Sequence, residues 1–204
     1  MLTSSAVGVY NAALPTAELA KIAYPALTAL SIPILTGMLA KKQTSDLKKT
    51  YKIISRWIFI LVLPLSILMV LFSRQIIYLM FGAQYLSAAP ALIVLTLGFF
   101  LYAIVGPARG MINALGKTYY ALINTLVMLV VNILGNMLLI PRIGITGAAI
   151  STAVSFSMFN VLSLIEARRY VKINPVSRSW IKPLCAAAAS LGVFYLIIKY
   201  IVLS

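Results

Sequence analysis

Glu18 and Lys21 are opposite charges three residues apart within an otherwise apolar stretch, so a helix carries both on one face. A charge at membrane depth points into a bundle or a wet cavity, and a neighbour of opposite sign partly neutralises it. Such a pair serves mutual neutralisation or the movement of a polar solute, and both readings stay open. Arg109 follows Gly106-Pro107, where a helix break would set it at a cytoplasmic mouth. There a guanidinium can grip a phosphate through two parallel hydrogen bonds, although membrane anchoring accounts for any single such cation. Asn124, Asn132 and Asn136, with Thr125 and Gly135, fall within an arc of about 120° on a helical wheel, opposite Ile123, Leu126, Val127, Val130, Ile133, Leu134 and Met137. Those amides either cross to a neighbouring helix or line a cavity. Glu18, Lys21, Arg109, Asn124 and Asn132 are therefore the candidate substrate-binding residues.

Covalent chemistry has no equipment here. The chain has no His, one Cys and three acids. Asp46 sits in a basic segment and Glu166 beside Arg168 and Arg169, which suits solvated or locally paired charges. Cys185 lies in a small-residue run and reads as a buried, inert thiol. No zinc, haem or iron–sulfur ligand set can be assembled, so no cofactor and no enzyme activity are expected. Transport, scaffolding and membrane assembly remain.

The elements that must position these groups are apolar. The chain is 62% hydrophobic over 204 residues, and six apolar runs stand out: Ala12 to Leu39, Ile53 to Met80, Ala88 to Val105, Tyr119 to Ile140, Ile145 to Ile165 and Pro183 to Leu203. Each has the length to cross a hydrocarbon core ~30 Å thick as a helix. Too little polar sequence remains to cover a soluble domain, so the expected class is an all-α polytopic membrane protein of six transmembrane helices. Pro25 and Pro33 in the first run favour a bent helix, Pro64 lies in the second, and Gly106-Pro107 is expected to end the third. Gly147, Ser151 and Ser155 recur every four residues, a ridge for close helix packing.

The cations report sidedness. Lys41, Lys42, Lys48, Lys49, Lys52 and Arg56 follow the first run, Arg109 and Lys117 the third, and Arg168, Arg169, Lys172, Arg178 and Lys182 the fifth. Only Lys21, Arg74, Arg142 and Lys199 fall elsewhere, a bias of thirteen to four that makes those three gaps cytoplasmic. Anionic lipid headgroups, not nucleic acid, are the matching counterions. The same assignment sets residue 1 outside with no signal pattern, and the expectation drawn from it is that an odd number of earlier spans belongs to the working protein. The chain divides into a five-span bundle, 1–170, and a basic linker with a final span, 171–204.

Three stretches together resemble a known family. They are Ser73-Arg74-Gln75-Ile76-Ile77-Tyr78-Leu79-Met80-Phe81-Gly82-Ala83-Gln84-Tyr85 with Ser87-Ala88-Ala89-Pro90, then Ala114-Leu115-Gly116-Lys117 through Asn136-Met137-Leu138-Leu139-Ile140-Pro141, and Gly144-Ile145-Thr146-Gly147-Ala148-Ala149-Ile150-Ser151-Thr152. Their order is similar to the polysaccharide biosynthesis and oligosaccharide flippase branch of the multidrug/oligosaccharidyl-lipid/polysaccharide exporter superfamily. Val7-Gly8-Val9-Tyr10-Asn11-Ala12-Ala13 resembles the start of that family's second half. The resemblance implies a two-lobed transporter of which this chain supplies most of the second lobe, working with a first lobe in the same or a separate chain. It further implies a polyprenyl-diphosphate-linked oligosaccharide as substrate, moved by alternating access across the cytoplasmic membrane, with glycan-assembly enzymes as further partners. A cation-coupled multidrug exporter of the same superfamily and a non-transporting scaffold are the competing readings.

Overall fold

The computed structural model of the protein describes residues 4–171, and the final apolar run with Cys185, Lys172, Arg178, Lys182 and Lys199 lies outside them. Among the described residues every element is helical: α1 (Ser4–Glu18), α2 (Ala23–Ala40), α3 (Thr44–Leu71), α4 (Ser73–Phe81), α5 (Ala89–Ala114) and α6 (Thr118–Val171), with 3-10 turns at Leu19–Lys21 and Ala83–Ala88. Helices long and apolar enough to cross a membrane run over Ala23–Ala40, Thr44–Leu71, Ala83–Asn113 and Thr118–Tyr170. The protein is an all-α polytopic membrane protein, because only internally bonded helices satisfy their backbone in lipid.

α1 and α2 form one bent rod. Glu18 and Ile22 keep right-handed helical angles on either side of Leu19–Lys21, where the Ile22 amide donates back three residues to the Leu19 carbonyl. Pro25 explains the tightening: it has no N–H for the Lys21 carbonyl, and its ring crowds that carbonyl. The rod runs alongside α5 in the same direction, since Ala13 and Ala17 pack with Leu92 and Leu95, Tyr24 with Ala103, and Leu35 with Ala108 and Met111. The expected first span from Ala12 is corrected in consequence. The helix begins by Ser4, so Glu18 and Lys21 stand midway along the rod and not near its outer end.

Two further boundaries move. α3 starts at Thr44, so Lys48, Lys49, Lys52 and Arg56 ride on its first turns and Asp46 lies in its first turn, 3.9 Å from Lys49. The second apolar run is interrupted at Phe72 (φ −103°, ψ 22°), which leaves α4 as a separate nine-residue helix, too short to cross. Gly106-Pro107 does not end α5, which continues helically to Ala114.

The fourth and fifth runs fold as a hairpin within α6. Ile143 (φ −133°, ψ 17°) and Gly144 (φ 58°, ψ −135°) leave the helical region and reverse the chain, a backbone state at Gly144 open almost only to glycine. The arms pair in descending register: Gly147 against Leu139, Gly135 against Ser151, Asn132 with Thr152 and Ser155, Asn124 with Glu166, and Tyr120 with Tyr170. A Cβ on Gly147 would stand 2.5 Å from the Leu139 carbonyl oxygen, and one on Gly135 2.8 Å from Ser151 Oγ, so the small residues set the approach. Leu126, Val130, Ile133, Leu134 and Met137 face outward, as the wheel predicts, while Thr125 is exposed and bonds only its own helix at Ala121. Lys41, Lys42, Lys117, Arg168 and Arg169 gather at one end of the bundle, with α4 and the hairpin turn at the other.

Candidate functional site: a cationic aromatic wall beside a cleft

A cleft of about 300 Å³ opens between the rod, α5 and the α6 hairpin, room for roughly ten waters. Tyr10, Leu14 and Glu18 line it from α1, spaced one turn apart, with Phe99 from α5. Met128, Leu129, Asn132, Thr152, Ser155 and Phe156 close it from the hairpin. Its polar rim is tied together. Asn132 Nδ2 donates to Thr152 Oγ1 at 3.4 Å and to Ser155 Oγ at 3.3 Å, and Asn136 Nδ2 donates to Asn132 Oδ1 at 2.9 Å. Tyr10 Oη and Thr152 Oγ1 lie 3.1 Å apart, which ties α1 to the hairpin.

Lys21 stands at the cleft's aromatic floor. Its Nζ donates to Glu18 Oε1 at 2.9 Å and lies 4.0 Å from the Phe99 ring centre, 5.5 Å from Tyr102 and 5.8 Å from Phe156. α5 is 26 residues, or ~39 Å, long, and Phe99 and Tyr102 sit near its middle, so this ammonium lies beside the middle of a helix long enough to span a membrane. A charge there costs several kcal/mol unless compensated. The carboxylate and the ring faces offset that cost, each close cation–ring contact by about 0.5–2 kcal/mol. The pair is unequal: the Lys21 side chain is 19% exposed and that of Glu18 52%, so the carboxylate reaches into the cleft while the ammonium is held on the wall.

The wall continues toward the basic end. Phe99 and Phe156 are 5.4 Å apart and nearly edge-on, Phe156 and Tyr102 5.0 Å, and Tyr102 and Phe159 6.5 Å. Arg109 caps it. Its Nη1 donates to Tyr102 Oη at 2.5 Å and its Nη2 to Tyr24 Oη at 2.7 Å, with Cζ 4.4 Å from the Tyr102 ring centre and 5.0 Å from Phe159. A helical side chain leans toward its helix N-terminus, which carries the guanidinium two turns back along α5. Gly106 makes the seat: a Cβ there would stand 1.9 Å from Tyr24 Cε2, so only glycine lets that ring lie flat on α5.

The five sequence candidates thus separate. Glu18 and Asn132 line the cleft, Lys21 borders it, and Arg109 holds the inner end of the same wall instead of a helix mouth. Asn124 stands apart, 2% exposed, with its Nδ2 donating to Glu166 Oε1 at 2.9 Å across the hairpin. Tyr10, Tyr24, Phe99, Tyr102, Thr152, Ser155, Phe156 and Phe159 were not among the candidates. The stripe Phe99, Tyr102, Gly106, Arg109, at steps of three, four and three, was the available signal.

Fold and site together define a polytopic helical membrane protein with a cleft, rimmed by amide and hydroxyl groups, beside a cation-bearing aromatic wall. Residues 3–203 match the lipid II flippase MurJ family, and the chain belongs to that family. It is 27% identical over 174 residues to an uncharacterized membrane protein of Methanocaldococcus jannaschii, an alignment covering 84% of this chain and 34% of the relative. It is also 26% identical over 173 residues to a probable low-salt glycan biosynthesis flippase of Haloferax volcanii, covering 85% and 37% respectively. The chain therefore spans about a third of the length of these curated relatives.

Proposed function

We propose that the chain forms part of a transporter that moves a lipid-linked oligosaccharide across the cytoplasmic membrane by alternating access, without making or breaking a covalent bond. The observation that carries this reading is the cationic wall along α5: Lys21 and Arg109 on one run of aromatic rings, beside a cleft rimmed by amide and hydroxyl groups. A polyprenyl-diphosphate glycan presents the complementary chemistry, an anionic diphosphate next to a sugar rich in hydroxyls. Sugar faces stack on aromatic rings while Asn132, Thr152 and Ser155 exchange hydrogen bonds with the hydroxyls. The lipid tail stays in the bilayer.

Membership of a lipid flippase family and likeness to a glycan biosynthesis flippase support the substrate class. The polysaccharide branch rather than a peptidoglycan precursor is our preferred assignment within it, and a second helical lobe would complete the cavity. Glycan-assembly enzymes are the expected cytoplasmic partners. Glu18 favours one competing reading, since a half-exposed carboxylate in a transport cleft is the group an ion-coupled drug exporter uses.

Cysteines placed at positions 21, 132 and 124 in a Cys185→Ser background test the reading with a water-soluble thiol reagent. Labelling at 21 and 132, but not at the buried 124, supports a solute path; protection of all three favours a scaffold. Glu18→Gln separates the exporters: loss of ion-dependent drug efflux with intact glycan export would reverse the assignment.

A further inference from the structure

Both hydrogen-bonding arms of the Arg109 guanidinium end on neutral phenols, Tyr102 and Tyr24. Among the described residues no carboxylate lies within salt-bridge distance of it, while Lys21 has Glu18. A guanidinium satisfied by neutral oxygens keeps its whole charge available, and its two arms match the oxygen pair of a phosphate better than two separate phenols. Its position makes an exchange of partners consequential. Tyr24 is the first aromatic residue beyond the 3-10 break at Leu19–Lys21, and its hydroxyl is the rod's polar tie to Arg109. The ring is 9% exposed, pressed on α5 in the space left by Gly106. A 3-10 turn within a helical run marks a place where the axis can change direction. Lys21, the cation of the cleft, lies in that turn.

We infer that Arg109 and Tyr24 form a substrate-sensing latch: a diphosphate group takes the guanidinium arm that Tyr24 occupies, frees Tyr24 from α5, and lets the rod change angle at Leu19–Lys21. The inference rests on the diphosphate-lipid reading above and adds a coupling to it. Arg109 then acts as a ligand-binding residue and Tyr24 as a positioning residue, because the phenol touches no substrate and competes for the arm that does. Occupancy of the inner end of the wall thereby sets the position of Lys21 at its middle. Energetically the ligand shifts the rod only by its difference in affinity for the latched and released states.

The test uses the full chain in lipid nanodiscs, in a Cys185→Ser background, with spin labels at Val7→Cys and Ile34→Cys. Both positions are exposed and flank the break, so their separation reads the bend. Farnesyl diphosphate is the probe and farnesol its uncharged control. The latch predicts that farnesyl diphosphate, and not farnesol, shifts the distance distribution. Tyr24→Phe keeps the ring but lacks the hydroxyl, so it should adopt much of the shifted distribution without probe and bind farnesyl diphosphate as tightly as the parent or a few-fold more tightly. Arg109→Gln should bind about tenfold more weakly or worse, the loss of charge-assisted hydrogen bonds, and, because it too removes the tie to Tyr24, should start from the released distribution and change no further at a saturating probe concentration. Opposite signs for the two variants would not arise from a merely structural contact. Binding of both probes alike overturns the diphosphate reading and the latch with it. Selective binding of farnesyl diphosphate with an unmoved Val7–Ile34 distance, or with the same probe-induced shift in Arg109→Gln, overturns the latch and leaves the substrate reading standing.

Discussion

Gly106→Ala is the sharpest structural perturbation available. The added Cβ would lie 1.9 Å from Tyr24 Cε2, 2.4 Å from Cζ and 2.5 Å from Oη. Carbon atoms rest ~3.5–4.0 Å apart, so the ring must retreat by roughly 1.6–2 Å. The Tyr24–Arg109 hydrogen bond, 2.7 Å long, does not survive that movement. Overpacking of a filled interface costs about 1–3 kcal/mol and the lost hydrogen bond to a charged group about 1.5–3 kcal/mol. Alanine's better helix propensity returns at most about 1 kcal/mol. A net loss of about 1.5–5 kcal/mol is expected, or roughly 3–20 °C in the midpoint for a chain of this size. Thermal unfolding in detergent, followed by circular dichroism, reads this directly. The decisive comparison is Gly106→Ala in a Tyr24→Ala background, where the clash partner is gone and the substitution should be neutral or stabilising. Equal costs in the two backgrounds would refute the packing argument, because the penalty would then not come from Tyr24.

Four further outcomes are expected. Gly144→Ala places a side chain at φ 58°, ψ −135° and should destabilise the hairpin by about 1–3 kcal/mol, visible as a lower unfolding midpoint. Asn124→Ala removes the donor to Glu166 and should cost about 1–3 kcal/mol, whereas Glu166→Gln retains an acceptor and should stay near the parent in the same melt. Lys21→Gln should leave the melt near the parent value, because the cation costs about as much to hold beside the middle of α5 as its contacts return, yet lower translocation of lipid-linked glycan at least tenfold. Gly135→Val should separate the hairpin arms at Ser151 and raise amide exchange along 132–155.

How far these features were legible in the chain differs from one to the next. The helical class follows from apolar length, because lipid leaves the backbone few alternatives. The hairpin was legible as two runs separated by Pro141-Arg142-Ile143-Gly144, though its register needed the partner faces. Glu18 and Lys21 were found because charges in lipid are rare, but the helix start was set too late: the small residues before Ala12 continue the helix without a long apolar signal. Phe99 and Tyr102 did not stand out within the third apolar run, since an aromatic residue reads the same on either face. Gly106-Pro107 shows the deeper limit. Sequence reasoning weighs a glycine-proline pair by its own backbone, where it suggests an end, but what Gly106 does is set by a ring from a distant helix. Asn124 and Asn132 share a helical face and have different fates, because Glu166 takes the first and two hydroxyl side chains border the second.

Translocation itself bears most directly on the central claim that this cationic aromatic wall carries the diphosphate of a lipid-linked glycan. A fluorescent polyprenyl-diphosphate oligosaccharide in proteoliposomes, followed by chemical quenching of the outer leaflet, measures its transfer with the full working assembly. The account predicts protein-dependent transfer that falls at least tenfold in Lys21→Gln and in Arg109→Gln, with protein folded by its melt. Transfer indistinguishable from empty vesicles, or unchanged in both variants, would contradict it.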